Sequence, residues 1–121
     1  MKQIMLVEDT PAALEHLKEF LVLEDFEVTT AENGDDAMNK LYLYRPDLII
    51  TDLRMPKVDG LAFLQKVKKS ENLKTIPVIV FTANATPENE IMCLKFGAVA
   101  FLKKPCPTAL ILETINKYLV T

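Results

Sequence analysis

No apolar run in this 121-residue chain approaches the length of a membrane span. The opening stretch, "MKQIMLVED", lacks an apolar signal region and reads as a strand. A strong charge of either sign is also missing. Seventeen acidic residues stand against fourteen basic ones, for a net charge of -3, so nothing points to direct binding of nucleic acid or of an anionic membrane. Cysteine is scarce: Cys93 and Cys106 are the only two, with no CxxC and no histidine nearby. Two free thiols in a reducing cytoplasm are therefore expected, and nothing in the sequence supports a disulfide between them. His16 is the sole histidine. It falls near the edge of an apolar helical stripe and is not expected to serve as phosphodonor or metal ligand. Linkers, repeats and low-complexity segments are absent, so residues 1–121 are expected to form one domain. Half of the residues are hydrophobic, which excludes disorder by composition.

What is present is an alternation of short apolar runs and longer helical patterns. Ile4–Val7 reads as the first strand, followed by Thr10-Pro11 as an N-cap with proline at the first helical position. Leu14, Leu17, Phe20 and Leu21 share one helical stripe. Val28–Ala31 is a second, weaker strand. Asn33-Gly34 breaks the chain, and Asp35-Asp36 begin a helix with charge suited to its dipole. Leu48–Thr51 is apolar at successive positions, as in a strand buried on both faces. A turn is expected through Met55-Pro56 and Val58-Asp59-Gly60. Leu61, Leu64 and Val67 then mark a third helix. Val78–Phe81 is a fourth strand, with Pro77 confined to its start. Thr86-Pro87-Glu88 repeats the cap-and-proline signal, and Gly97 is expected to end that helix. Val99–Leu102 is the fifth strand, and Ile111, Ile115, Tyr118 and Leu119 carry the last helix. Five β-α units in series predict an α/β fold, with a parallel sheet covered by helices on both faces. In open sheets of this class, sites form beyond the carboxyl ends of the strands.

The polar residues fall at those ends. The first strand ends in Glu8-Asp9, the third in Asp52, the fourth in Thr82 and the fifth in Lys103-Lys104-Pro105, while the second ends in Ala31-Glu32 and looks uninvolved. Three carboxylates in one crevice would raise one another's pKa. A divalent cation relieves that repulsion, and hard oxygen ligands with water in the remaining positions suit Mg²⁺, though Mn²⁺ would fit as well. A nearby lysine can also compensate. An ionised aspartate beside a metal is a competent nucleophile toward a phosphoryl group, whose oxygens then need positive charge and donors. On this reading Asp9 and Asp52 supply metal ligands, Lys104 the ammonium and Thr82 the hydroxyl, with Asp52 as the acceptor. Taken singly, each has a plain structural use: a helix cap for Glu8-Asp9, a turn for Asp52, a strand position for Thr82, a solvated charge for Lys104, core packing for Phe101. The joint placement is what argues for chemistry.

These pieces, "LVEDT", "DLRMPKVDG", "FTA" and "FLKKP", each at a strand end and in this order, resemble the receiver domains of two-component response regulators, chemotaxis regulators among them. The resemblance covers essentially the whole chain. It implies a doubly wound (βα)5 fold with a five-stranded parallel sheet in the flavodoxin-like order 2-1-3-4-5. It also implies that Asp52 receives a phosphoryl group from a phosphohistidine on a sensor histidine kinase or histidine phosphotransfer protein. Asp9 and Asp52 would bind Mg²⁺ directly, with the backbone carbonyl of Arg54 as a third ligand and Glu8 acting through water. Thr82 and Lys104 would bind the phosphoryl oxygens. Phe101 would be the aromatic switch residue, turning inward as Thr82 moves, and Lys104-Pro105 would be a cis peptide. The switched surface, read by an output partner, would be formed by the fourth helix, fifth strand and fifth helix. The domain would be cytoplasmic, either free-standing or part of a longer protein, and a signalling domain that assists its own phosphorylation and dephosphorylation rather than an enzyme.

Three departures from the family's commonest pattern stand out. The acidic pair is Glu-Asp rather than Asp-Asp, Phe101 lacks a tyrosine hydroxyl, and Cys106-Pro107-Thr108 replaces a large apolar residue followed by a polar cap. Arg54 and Asn84, two residues beyond Asp52 and Thr82, would flank the phosphoryl group. Other readings are weaker. A haloacid-dehalogenase-type phosphatase would carry a general acid where Arg54 stands. A flavodoxin's first loop must wrap a phosphate in donors, but "VEDTPA" offers two carboxylates. A pseudo-receiver would lack chemical positions that are all filled here.

Overall fold

The computed structural model describes residues 1–54 and 59–119; the expected turn residues Met55, Pro56 and Val58 lie outside the described residues. Ten elements alternate: β1 (Gln3–Val7), α1 (Pro11–Leu23), β2 (Glu27–Ala31), α2 (Gly34–Leu41), β3 (Leu48–Thr51), α3 (Gly60–Lys69), β4 (Val78–Thr82), α4 (Pro87–Lys95), β5 (Ala100–Lys103) and α5 (Thr108–Tyr118). The strands form one parallel sheet in the order β2-β1-β3-β4-β5. This is the doubly wound arrangement expected from the alternation and from the resemblance, with the order reversing between β1 and β3.

Alternation of side chains along each strand divides the core in two. Met5, Val7, Ile49, Val78 and Val80 point to the layer of α2, α3 and α4, where Ala37, Phe63, Leu64, Val67 and Cys93 meet them. Ile4, Leu6, Leu48, Ile50 and Ile79 point to the other layer, against Leu21 of α1 and Ile111 and Ile115 of α5. A strand such as β3, buried at all four positions, has no polar face to show, which is why its sequence is apolar without alternation. No helix among the described residues is long and apolar enough to cross a membrane.

Helix starts follow the capping signals only in part. Asn33, Asp59 and Thr86 accept bonds from the backbone N–H groups of Asp36, Ala62 and Asn89. Thr10 holds the N-cap position of α1 without a side-chain bond. Its carbonyl accepts from Leu14 N at 3.0 Å, and Pro11 at the first position removes one donor that would need satisfying. Pro107 occupies the same position before α5, also without a side-chain bond. That helix ends at Tyr118, and Leu119 caps it while packing against the core.

Two helices end in the same left-handed motif. After α4, Gly97 has φ 109°, and the N–H groups of Gly97 and Ala98 bond to the carbonyls of Leu94 and Cys93, as the sequence suggested. After α1, Asp25 has φ 69°, and the N–H groups of Asp25 and Phe26 reach back to Val22 and Leu21. A side chain in this conformation is strained where glycine is not. Asp25 is exposed, so Asp25→Gly should raise unfolding stability by up to about 1 kcal/mol in urea denaturation; a loss would mean that the carboxylate makes a compensating bond.

Candidate functional site

The register brings the site together. Val7 of β1 stands opposite Thr51 of β3, so the next residues, Glu8 and Asp52, leave the sheet side by side. Asp52 N still bonds to Val7 O at 3.0 Å. On the other flank Thr82 pairs with Lys103, and Lys104 N bonds to Thr82 O at 2.9 Å. Four strand ends separated in sequence by whole helices thus share one edge of the sheet, while β2 contributes no side chain to the group.

At that edge a single ammonium serves two carboxylates. Lys104 Nζ lies 3.0 Å from Asp52 Oδ2 and 3.1 Å from Glu8 Oε2. The other Asp52 oxygen, Oδ1, accepts from Leu53 N at 2.6 Å and Arg54 N at 3.2 Å. Glu8 and Asp52 are almost wholly buried, at 9% and 8% exposed, and Thr82 is fully buried. Charge in such a place survives only if it is paired. Burial pushes the Glu8 carboxyl up to about 7, the neighbouring Asp52 adds to the rise, and Lys104 opposes it. For Asp52, burial also disfavours the charge, but hydrogen bonds from Glu8, Thr82 and Lys104 outweigh it and hold the carboxyl below its usual range. Burial works against the Lys104 charge too, yet the two carboxylates raise its pKa. The arrangement is an ionised Asp52 flanked by an ammonium and by a Glu8 that keeps its proton more readily than an exposed glutamate.

The three acidic residues expected to gather do not all do so. Asp9 is exposed, and among the described residues no group of three His, Cys, Asp or Glu side chains is placed to hold a metal ion. β1 ends at Val7; Glu8 reaches Lys104, while Asp9, in the bend that follows, is exposed. The donors that converge, Glu8 and Asp52, are hard carboxylate oxygens, a set that suits a hard divalent cation with water in the remaining positions and not a thiolate-seeking metal. The Arg54 N–H faces Asp52.

Thr82 Oγ1 accepts from Asn84 N at 3.1 Å. Asn89 Nδ2 in α4 donates to Asn84 O at 2.8 Å, and Asn89 N donates to Thr86 Oγ1 at 3.1 Å. The hydroxyl beside Asp52 is thereby tied to the first turn of α4. Phe101 is half-buried against the layer of α2–α4. The Lys104–Pro105 peptide is cis, as the resemblance implied, and Lys103 is exposed. Cys93 is buried, Cys106 half-buried, and both are free thiols, as expected. Sequence reasoning treated Gly60 only as a turn residue. A Cβ there would lie 2.0 Å from the Asp52 carbonyl oxygen and 2.6 Å from Leu53 Cα, so the start of α3 rests directly on the backbone of Asp52. The signal was a glycine one turn past a candidate acceptor, but its steric reason needs coordinates.

The fold and this strand-end arrangement are those of a doubly wound signalling domain. The profile of the response regulator receiver domain matches residues 4–116, and the chain belongs to that family, a family of two-component signalling domains. It is 38% identical over 114 residues to the probable transcriptional regulator ycf29 of Pyropia yezoensis, covering 94% of this chain and 51% of that one. The chain therefore spans about half the length of that relative. It is 32% identical over 118 residues to the polar-differentiation response regulator DivK of Brucella anthropi, covering 98% of this chain and 96% of DivK. The receiver domain of the sensor histidine kinase PA1611 from Pseudomonas aeruginosa, solved with a magnesium ion coordinated in its active site cleft, superposes with a TM-score of 0.90 at 29% identity, covering 98% of this chain and 97% of that one.

Two outcomes follow from the packing and charge of the site. Gly60→Ala should lose about 1–3 kcal/mol of unfolding stability by overpacking against Asp52, read by urea denaturation; an unchanged midpoint would mean that the β3–α3 connection yields freely. The Glu8 carboxyl titrates at about 7 in the folded protein against a usual 4.5. Its contribution is complete below pH 4.5 and is lost as pH rises through about 7. In metal-free buffer the wild-type stability should fall across that window relative to Glu8→Gln; parallel profiles would contradict the raised pKa.

Proposed function

We propose that this domain accepts a phosphoryl group on Asp52 from a phosphohistidine of a sensor histidine kinase or histidine phosphotransfer protein, and passes the change to an output partner. The observation that carries this reading is the buried, ionised Asp52 paired with Lys104 at the end of a central strand. Its Oδ1 is held by two backbone N–H groups, leaving Oδ2 directed to the crevice beside Lys104. In the transfer, a carboxylate oxygen of Asp52 forms the new O–P bond as the P–N bond of the donor breaks, and the bond electrons leave with the imidazole. Lys104 then neutralises charge on the phosphoryl oxygens and Thr82 offers its hydroxyl.

Magnesium is the cation the donor chemistry favours, and Mn²⁺ would be accepted by the same oxygens. Asp9 and Asp52 would hold it directly, with the Arg54 carbonyl, and Glu8 through water. Bound there, it would supply positive charge against the repulsion between an incoming phosphoryl group and the carboxylates.

Phosphorylation adds nearly two negative charges to the crevice. It shifts the protein only through a difference in contacts between two conformations. The bistable element is the Thr82 loop: drawing the hydroxyl toward the phosphate releases Asn84 N, and with it the tie to α4 through Asn89. Phe101, next along β5, follows as the aromatic switch residue. The face of α4, β5 and α5 would carry the message. Ile91 and Leu94 of α4 and Leu110 of α5 are exposed large apolar side chains, suited to contact with a partner protein. On this reading the domain works in the cytoplasm, and its partners are proteins rather than nucleic acid or membrane.

Incubation with acetyl phosphate and magnesium should add one phosphoryl group by intact mass, lost on hydroxylamine treatment and absent in Asp52→Asn. Chelation with EDTA should suppress uptake at least tenfold. Uptake that persists in Asp52→Asn would move the acceptor elsewhere.

A further inference from the structure

A strand at the edge of a sheet presents peptide groups with which a further strand could pair. β2 is such a strand, since it hydrogen-bonds to β1 alone. Which of its groups face outward follows from the register. Glu27 N donates to Lys2 O and Ala31 O accepts from Glu8 N, each at 3.0 Å. Glu27 and Ala31 therefore turn their backbone groups toward β1. That direction alternates along a strand, so Val28 and Thr30 turn theirs away from the sheet. Glu32, the first residue past the strand, is next on the outward side.

Two side chains of α2 meet those outward groups. Lys40 Nζ donates to the Thr30 carbonyl. Asp36 Oδ2 accepts from Glu32 N at 3.1 Å. The two side chains also pair with each other at 3.2 Å, one helical turn apart. A solvent-facing pair of this spacing adds little stability by itself; its placement is what distinguishes it. In a parallel ladder, one residue of the neighbouring strand donates its N–H to a carbonyl and accepts, at its own carbonyl, from the N–H two residues further on. Thr30 O and Glu32 N are such a couple. Ammonium and carboxylate offer them a donor and an acceptor in the order that a sixth strand would.

We propose that Asp36 and Lys40 stand in for one residue of a sixth strand, and so close the outer edge of β2 against β2 of a second copy of this chain. A second copy is the fitting occupant because the edge complements itself. In an antiparallel pairing centred on Thr29, Val28 stands opposite Thr30 of the other copy and exchanges two backbone bonds with it. The two-fold axis repeats the exchange. Glu27 then faces Ala31, so no like charges meet directly across the pair. The β-branched run Val28-Thr29-Thr30 suits an extended, paired backbone. Both Thr30 carbonyls are needed for this ladder, and Lys40 already occupies the one in its own chain. Neither Asp36 nor Lys40 belongs to the group around Asp52, so the proposal stands or falls separately from the acceptor assignment.

The test uses the whole chain without phosphodonor and compares it with Lys40→Met, which keeps the apolar stem and loses the ammonium. Sedimentation equilibrium should give Lys40→Met a self-association constant at least tenfold above that of the wild type. Amide exchange followed by NMR locates the contact. In Lys40→Met the N–H groups of Val28 and Thr30 should gain protection as concentration rises, and in the wild type they should not. Adding Val28→Pro to Lys40→Met removes an outward N–H and leaves the ladder with β1 in place; association should return to the wild-type level. Lys40→Ala reads the same should Lys40→Met fail to fold. Association no stronger than that of the wild type overturns the proposal. So does association that survives Val28→Pro, protection that rises elsewhere and not at Val28 and Thr30, or protection that already rises there in the wild type.

Discussion

One ammonium held between two buried carboxylates organises the functional end of this molecule. Glu8 and Asp52 leave adjacent parallel strands at the same level, and without a cation their mutual repulsion and desolvation would oppose that register. Lys104 arrives from the far side of β4 and answers both. The geometry is unforgiving on every flank. The backbone N–H groups of Leu53 and Arg54 fix one oxygen of Asp52, the start of α3 presses on its carbonyl where only glycine fits, and the Thr82 hydroxyl closes the remaining side. The central strands beneath, β1, β3 and β4, are buried at nearly every position, so the charged group sits on a stiff platform.

That platform accounts for the division of labour within the fold. The layers of α1 with α5, and of α2, α3 and α4, enclose separate sets of strand side chains. The acidic edge touches both. On one side lies a cleft between α1 and α5; on the other, the hydrogen-bond chain from Thr82 through Asn84 and Asn89 to the first turn of α4. A change of charge at Asp52 has a short mechanical route into α4, since the loop's bonds already begin at the hydroxyl nearest the carboxylate. The exposed apolar residues of α4 give that route a surface at which to end.

Much of this was legible from residue order. Strands buried on both faces betray themselves by unbroken apolar runs, and β3 and β4 were read to within one residue at each end. The polar residues that close four of the five strands could be placed at one sheet edge before any coordinates, because parallel β-α alternation leaves little choice of topology. What the sequence could not show was distance. Asp9 was expected to be the closer metal ligand, yet Glu8 is the one paired with Lys104 and Asp9 is exposed in the bend beyond β1. The steric role of Gly60 and the left-handed Asp25 depend on backbone angles that no local composition specifies. The cleft beside Cys106 depends on how two helices pack, a property of side-chain volumes summed over residues far apart.

Lys104 reaches the crevice from β5, an edge strand that hydrogen-bonds only to β4. It is also the last of the five strands in chain order. Until β5 has zipped onto β4, Glu8 and Asp52 lack the charge of Lys104. A chain whose edge strand has come away would thus lose the ion pair on which the proposed response rests, so that readiness to respond and integrity of the sheet go together.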